Sequence, residues 1–157
     1  MDSADADVLR ALIERERILA LGVLVDGGPY VGLVPFALAA DRCALYVHTS
    51  TLARHSRGLA AGAPFSALVH APDEPDGDPL QVPRLTLNGT VRRLGADELE
   101  HQMARAAYLA RFPESEPTFA LGDFGLHALE IATGRLVVGF ARARNISRQD
   151  LSALGER

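Results

Sequence analysis

The sequence predicts a mainly β protein: a compact antiparallel β-barrel with helices at its sides. Six or seven apolar segments of strand length occur along the 157 residues, and most follow one another through short turns, as strands in hairpins do. The helical segments do not alternate regularly with the strands, which excludes a doubly wound parallel sheet. The length is that of one domain, so we expect residues 1–157 to form a single unit.

The N-terminal third predicts a helix followed by a hairpin. Apolar residues recur every third or fourth position over residues 4–17, as on one face of an amphipathic helix. An apolar run over 18–25 ends at Asp-Gly-Gly-Pro, a strong turn signal, and residues 30–39 are its predicted partner strand. Pro35 cannot donate to a strand ladder, so this strand is expected at an edge or at a bulge.

The rest of the barrel, which we expect to span 18–141, is predicted from shorter patterns. Asn88-Gly89 lies inside an alternating segment and favours a β-bulge over a hairpin turn. Residues 142–157 are expected to form a C-terminal tail. The remaining predicted elements are strands at 43–47, 65–70, 84–94, 124–131 and 135–140, a short helix at 51–61, and a long helix that contains Leu99 and Met103.

The stretch HTSTLARHSRGL, residues 48–59, allows two interpretations. Thr49 or Ser50 can cap the predicted helix, whose start then offers free N–H groups to an anion, with Arg54 and Arg57 near its first turn. Alternatively, the hydroxyl groups cap the helix and the arginines are solvated. The local pattern leaves both open.

His55 and Arg84 also allow two interpretations each. The spacing of His55 from apolar neighbours favours a histidine inside the core over a catalytic one. Arg84 lies on the polar face of its strand and either lines a cleft or points to solvent. No histidine has metal-ligand spacing to another histidine or cysteine, and Cys43 is the single cysteine, so neither a metal site nor an internal disulfide is expected.

The bulk properties exclude several classes of partner. A net charge of -4 and a pI near 5.7 argue against nucleic-acid binding. No apolar run approaches the ~18 residues of a membrane helix, and the acidic N-terminus does not resemble a secretion signal. A cytoplasmic protein without membrane contact is the expectation that follows.

Four stretches, in order, carry a resemblance to a known family: GGPYVGLVPFAL, LYVHTSTLARHSRGL, PRLTLNGTV and LVVGFARA. Together they resemble the FMN-binding split-barrel proteins related to pyridoxamine 5'-phosphate oxidase, and are most similar to the HugZ-like haem-utilisation branch. The resemblance extends over roughly residues 8–145. It implies a six-stranded antiparallel split barrel that forms a homodimer, with FMN at the subunit interface.

The resemblance also implies the positions of cofactor-binding residues. In the family, a Ser/Thr-rich strand end and a following basic pair bind the FMN phosphate, and His55 stands where the oxidase usually has a lysine. The strand over 33–36 would place its backbone at the flavin ring, and Arg84 would approach from the other subunit. The implied cofactor-binding residues are Leu33, Val34, Pro35, Phe36, Thr49, Ser50, Arg54, His55, Arg57 and Arg84.

The function implied is that of an FMN-dependent oxidoreductase-like flavoprotein acting on a small molecule that the sequence does not identify. The chain has no tryptophan and lacks the C-terminal Trp/Arg/His-rich segment with which the oxidase binds its substrate, so pyridoxamine phosphate oxidation itself is not expected. No residue stands out as a catalytic acid or base. The alternative is a non-catalytic FMN- or haem-binding protein of haem-iron utilisation.

Overall fold

The computed structural model describes residues 1–155, and the last two residues of the predicted tail lie outside this part. It contains three α-helices and one antiparallel sheet. The helices are α1 (Ser3–Arg15), α2 (Leu99–Arg111) and α3 (Arg148–Ser152). The strands are β1 (Ile18–Val25), β2 (Gly28–Pro35), β3 (Ala37–Leu38), β4 (Ala44–Ser50), β5 (Pro64–His70), β6 (Arg84–Arg93), β7 (Phe124–Gly139) and β8 (Arg142–Ile146).

The sheet curls into a half-barrel with flanking helices, which agrees with the predicted split barrel. Its strand order is β2-β1-β5-β6-β7-β4-β3, and β8 pairs with β7. The two ends of this order meet, because β2 approaches β4 without pairing along it. Strand β2 is thus an edge strand, which is one of the two places the sequence allowed for Pro35. It runs over Gly28–Pro35, so the predicted bounds of 30–39 are wrong: the strand ends at the proline.

Alternation along the strands creates the core. One face of each strand points into the barrel, which we call the inner face, and α1 covers it with its own apolar stripe. Each such side chain contributes about 1.5–3 kcal/mol by leaving water. The largest fully buried side chains are Leu9, Leu12, Ile13, Leu19, Leu21, Phe36, Leu45, Leu85, Leu87, Leu129, Ile131 and Leu136.

A second, smaller core lies on the other side of β4 and β7, which we call the outer face. Helix α2 buries Ala104 and Tyr108 there against Tyr46 and Leu126. The outer face of β1, β2 and β5 has no such cover among the described residues. It leaves Leu24, Val31 and Leu33 exposed at 55%, 65% and 66% of their surface.

Two turn signals have the predicted effect. Asp26 and Gly27 take positive φ angles of 53° and 79°, which is how a two-residue hairpin turn matches the twist of its strands. The register between β6 and β7 shifts at Asn88-Gly89, so the predicted bulge is confirmed. A side chain at Gly89 would collide with the backbone oxygen of Glu130, which explains why glycine stands there.

Several predicted elements are corrected. The sheet has eight strands in the described part rather than six, because β3 pairs briefly with β4 and part of the predicted tail returns along β7 as β8. The segments 124–131 and 135–140 are one 16-residue strand, since Thr133-Gly134 continues the ladder to β6 and does not turn. The first helix begins at Ser3 and ends at Arg15, with Asp2 as its N-cap, rather than spanning 4–17.

The predicted helix over 51–61 is also wrong. Only Arg54–Gly58 is helical, as a 3₁₀ helix that we call the 54–58 turn. Leu52 is 85% exposed, so it does not share a buried face with Leu59. The segment is held by tertiary contacts instead: a side chain at Gly58 would come within 2.6 Å of Val23, so the turn lies directly on the β1–β2 hairpin.

Candidate functional site

The end of β4 and the 54–58 turn form one unit. The Ser56 hydroxyl donates to the backbone oxygen of Ser50 at 2.6 Å, and the Ser50 hydroxyl accepts from the Leu52 N–H at 3.1 Å. The Ala53 N–H donates to the Ser50 oxygen at 3.1 Å, which closes the turn. These bonds fold the chain back over the inner face of the hairpin.

Thr49, at the end of β4, has a buried hydroxyl group. The residue is 4% exposed, and its Oγ1 has no hydrogen-bond partner within residues 1–155. Nearby on the inner face, His127 is 8% exposed, and its Nδ1 also has no partner. Since buried polar groups in proteins are nearly always hydrogen-bonded, an unpartnered pair at one end of the barrel marks a place where a polar ligand group would be stabilised.

The basic residues of the 54–58 turn have different environments. The Arg54 guanidinium lies 5.3 Å from the centre of the Tyr30 ring and forms no ion pair among residues 1–155. Arg57 is paired with Asp26 of the hairpin turn at 2.6 Å, with both side chains more than half exposed. Of the two arginines, Arg54 is the one that carries an uncompensated charge.

His55 is a packing residue here, half-buried against β2. A Cβ at Gly32 would come within 2.6 Å of His55 Nδ1, so glycine at that position makes room for the ring. Burial lowers the pKa of His55, so the imidazole is neutral at neutral pH. A neutral ring can donate one hydrogen bond to a phosphate but supplies no charge.

Arg54, His55 and Arg57 form what we call the basic cluster. Two carboxylates that the sequence did not indicate lie beside it. Asp123 accepts from the Ser50 hydroxyl at 2.8 Å, and Asp26 holds Arg57. A phosphate would have to replace these partners. Arg54, which forms no ion pair among residues 1–155, is the group of this segment that can bind a phosphate without such an exchange.

The four residues 33–36 face in alternate directions. Leu33 and Pro35 are exposed on the outer face, while Val34 and Phe36 are buried at 3% and 0%. Only the first two can offer side chains to a ligand on the outer face. The free edge of β2 can offer backbone groups.

Arg84 lies on the outer face at the start of β6. Its guanidinium donates to the backbone oxygen of Val82 at 3.1 Å and forms no ion pair within the described residues. Its cross-strand partner on β5 is His70, an exposed residue. Eight of the ten predicted site residues therefore form two groups, and Val34 and Phe36 are buried in the core. The first group lies at the end of β4 and in the 54–58 turn, and the second lies on the outer face; they are Thr49, Ser50, Arg54, His55 and Arg57, and Leu33, Pro35 and Arg84.

The sequence pattern missed Asp26, Asp123, His70 and His127. Each comes from a segment distant in sequence from the residue it adjoins, so no local spacing reveals it. The strand pairing brings them together.

A cavity of about 550 Å³ lies elsewhere, between α2 and β4. Arg92 in its wall is bonded to Glu100 at 2.5 Å and to Glu130 at 2.8 Å. Its wall carries three carboxylates and two arginines, and none of the predicted site residues lines it. No metal site of three or more His, Cys, Asp or Glu residues occurs in residues 1–155, and no helix there is long and apolar enough to cross a membrane.

Three solved structures are similar to this chain. A haem-binding protein from Mycobacterium smegmatis has 27% sequence identity and a TM-score of 0.83, covering 98% of this chain and 62% of its own. A protein of unknown function from Agrobacterium tumefaciens has 28% identity and a TM-score of 0.74, covering 96% of this chain and 62% of its own. The haem storage protein HutZ from Vibrio cholerae has 23% identity and a TM-score of 0.72, covering 83% of this chain and 92% of its own, and shows the fold alone.

This chain thus spans 62% of the length of the first two proteins. A comparison with curated proteins finds no match. The family model described as pyridoxamine 5'-phosphate oxidase matches residues 6–137. The structural neighbours support the predicted likeness to the haem-utilisation branch. The chain therefore belongs to the pyridoxamine 5'-phosphate oxidase family.

Proposed function

We propose that this protein is a homodimeric FMN-binding flavoprotein that transfers electrons between the flavin and a small molecule. The observation that carries the proposal is the buried Thr49 hydroxyl at the end of β4, just before the 54–58 turn in the chain. Within residues 1–155 this hydroxyl has no hydrogen-bond partner, and Arg54 has no carboxylate partner. A buried hydroxyl and an uncompensated guanidinium are the groups that bind a phosphate. Because of the family to which the chain belongs, we expect that phosphate to be part of a flavin nucleotide.

Different residues of the chain would bind the phosphate and the flavin ring of FMN. Thr49, Ser50, Arg54 and Arg57 would bind the phosphate, with His55 as a neutral hydrogen-bond donor. Backbone groups at 33–36 would contact the flavin ring, and the partner copy would bring its own residue at position 84. The bound flavin supplies the redox chemistry, and the protein orients it and excludes competing reactions.

The homodimer is proposed from the uncovered outer face. A groove of about 380 Å³ runs over Gly22, between Leu24, Val31 and Pro64. We call this part of the outer face the hairpin end. Large exposed apolar patches mark interaction sites, and a second copy offers a surface of the same apolar character.

The proposal is for electron transfer rather than for a particular substrate. None of the residues that adjoin the basic cluster has the environment of a catalytic acid or base. The chain has no tryptophan, so we do not propose pyridoxamine phosphate as the substrate. A cytoplasmic location, without nucleic-acid or membrane contact, remains part of the proposal.

Titration with FMN tests the phosphate site. Loss of one charge-assisted interaction of about 1.5–3 kcal/mol predicts that Arg54→Ala weakens FMN binding by roughly 10–150-fold, measured by flavin fluorescence. Arg15→Ala, which removes an exposed arginine of α1, is the matched control and should bind FMN like the wild type. Equal affinities of the wild type and Arg54→Ala would contradict the site.

A second candidate is a non-catalytic haem-binding protein. The observation that favours it is the mycobacterial haem-binding structure, which superimposes over 98% of this chain. The absorption spectrum of the purified protein, before and after addition of FMN or haem, separates the two candidates. A flavin band that a reductant bleaches supports the first, and a haem band alone supports the second.

A further inference from the structure

We propose that His70 is an axial ligand to haem iron, on the end of the outer face formed by His70, Leu68, Arg84 and Ile18, which we call the His70 end. The proposal rests on the haem-binding candidate function and assigns it a residue. It requires an accessible imidazole, an apolar surface beside it, and cationic groups for the propionates. The structure provides each of these.

Accessibility distinguishes His70 from three of the other histidines. All five histidines lie within the described residues. His48 and His127 are 9% and 8% exposed, and His55 is packed against Gly32. His101 is half-buried on α2. His70 is exposed at the end of β5, where a ligand can reach its ring.

The His70 ring is already oriented for coordination. Its Nδ1 lies 2.7 Å from the backbone oxygen of Ala71. A carbonyl oxygen can only accept, so Nδ1 carries the hydrogen and Nε2 has the free lone pair. Metal-binding histidines characteristically donate their second ring N–H to a carbonyl or carboxylate in this way, which fixes the tautomer and the ring plane.

The surface beside His70 is apolar. Leu68 lies two residues earlier on the same face of β5 and is 36% exposed. Leu68 and Leu33 both pair with Ala20 of β1, which places the three in one row across the sheet. Ile18, on the same face of β1 as Ala20, is 49% exposed. This row and Ile18 form a contiguous apolar surface beside His70, against which one face of a porphyrin ring would pack.

Two arginines adjoin this apolar surface. Arg84 is the cross-strand partner of His70, and Arg135 faces Thr86 one row further along. Neither forms an ion pair within residues 1–155. Haem carries two carboxylates, for which guanidinium groups are the preferred partners.

An exposed aromatic residue completes the same end of the sheet. Phe140 is 67% exposed just beyond β7, where Val137 pairs with Arg84. Its N–H donates to Gln81 Oε1 at 2.9 Å, which holds the loop beside the start of β6. The His70 end is separate from the groove at the hairpin end, so both copies of a dimer could bind haem at the margin of their contact.

The test is a titration of the full-length protein with ferric haem, followed by the Soret band and by electron paramagnetic resonance. The wild type should give a histidine-ligated spectrum. His70→Ala should lose that signature and bind at least tenfold more weakly, and free imidazole should restore the spectrum. His101→Ala is the matched control and should behave like the wild type.

Two outcomes would overturn the assignment, and they are distinguishable. If His70→Ala gives the wild-type spectrum and affinity, His70 is not the ligand, and the haem-binding function stands with another ligand. If the wild type itself shows no Soret shift with haem, both the function and the ligand are wrong. Circular dichroism of His70→Ala checks that the fold is kept.

Discussion

At the scale of single residues, the basic cluster is less charged than its composition suggests. His55 is neutral because it is buried, and Arg57 is paired with Asp26. The phosphate site we propose therefore depends on Arg54 and on the buried hydroxyl of Thr49. The His55 ring packs against Gly32, so position 55 contributes packing rather than charge in this structure.

His48 is the residue whose titration should affect stability most clearly. Its ring stacks on Phe119 with the centroids 3.8 Å apart, and Thr118 Oγ1 lies 3.3 Å from its Nδ1. Burial, with a smaller effect from His101, lowers the pKa of His48 to about 4. In the unfolded chain the pKa is near 6.5, so between these values the unfolded state binds the proton and the folded state does not.

This difference in proton binding makes the folded protein less stable at lower pH. Above pH 6.5 the ring is neutral in both states and has no effect, and stability is lost as the pH falls toward 4. Between pH 7.5 and 5.0 His48 should lower the free energy of unfolding by roughly 2 kcal/mol. His48→Phe removes this dependence, so urea unfolding should show a pH slope smaller by that amount than in the wild type. An unchanged slope would mean that the folded protein accommodates the charged ring.

His127 is a second buried histidine with a lowered pKa, so His48→Phe removes only part of the pH dependence of stability. Burial, then Arg93 and then His48 lower the pKa of His127 to about 4. A further substitution of His127 by Phe should therefore make the pH dependence of urea unfolding smaller again, and the part that remains includes His55, whose pKa is also lowered by burial.

At the scale of elements, the bulge between β6 and β7 sets the register of the sheet. Gly89→Ala would place a methyl group against the backbone oxygen of Glu130, which cannot move without disturbing the ladder. We expect a loss of about 1–3 kcal/mol in the free energy of unfolding, measured by chemical denaturation. Gly122→Ala, where a Cβ meets nothing within 4 Å, is the control and should be close to neutral.

Equal stability of Gly89→Ala and the wild type would mean that the strands slide to a new register. Amide hydrogen exchange along β7 would detect this, because protection would then shift by one residue. The bulge is one of the features that the sequence predicted correctly. A glycine after asparagine in an alternating strand has few other structural meanings.

Other elements were not predictable from local pattern. The 54–58 turn has helical spacing of polar residues, but its shape is set by Gly58 packing on Val23, a contact between segments. Thr133-Gly134 has the composition of a turn, yet the pairing with β6 keeps it extended. Alternation predicted the strands and their buried faces, whereas tertiary contacts decided where chain reversals occur.

In the candidate site, too, local sequence pattern predicted some residues, and tertiary contacts brought in the others. The basic residues and hydroxyl groups of residues 48–59 were visible because they are adjacent in the chain. Asp123 and His127 were not, because β7 brings them to β4 from more than 70 residues away. Resemblance to a family supplied the ligand hypothesis, and the structure shows which groups of this chain are already occupied.

At the scale of the whole molecule, the outer face of β1, β2 and β5 is the largest departure from a self-sufficient fold. Apolar side chains there are more than half exposed, while α2 covers the corresponding face of β4 and β7. The single chain thus covers the inner face and the outer face of β4 and β7, but it leaves the outer face of β1, β2 and β5 uncovered among the described residues. The homodimer that we propose would cover this side.

Substitution at the hairpin end tests the dimer. Val31→Asp places a charge in the middle of the proposed contact, at a side chain that is 65% exposed in the single chain. The folded monomer should tolerate it, whereas two opposed copies would have to bury the carboxylate. Analytical ultracentrifugation should therefore show a dimer for the wild type and a monomer for Val31→Asp. Leu52→Asp, at a residue that is 85% exposed on a different surface, should remain dimeric. A wild type that sediments as a monomer, or a Val31→Asp variant that stays dimeric, would contradict the assignment of this face.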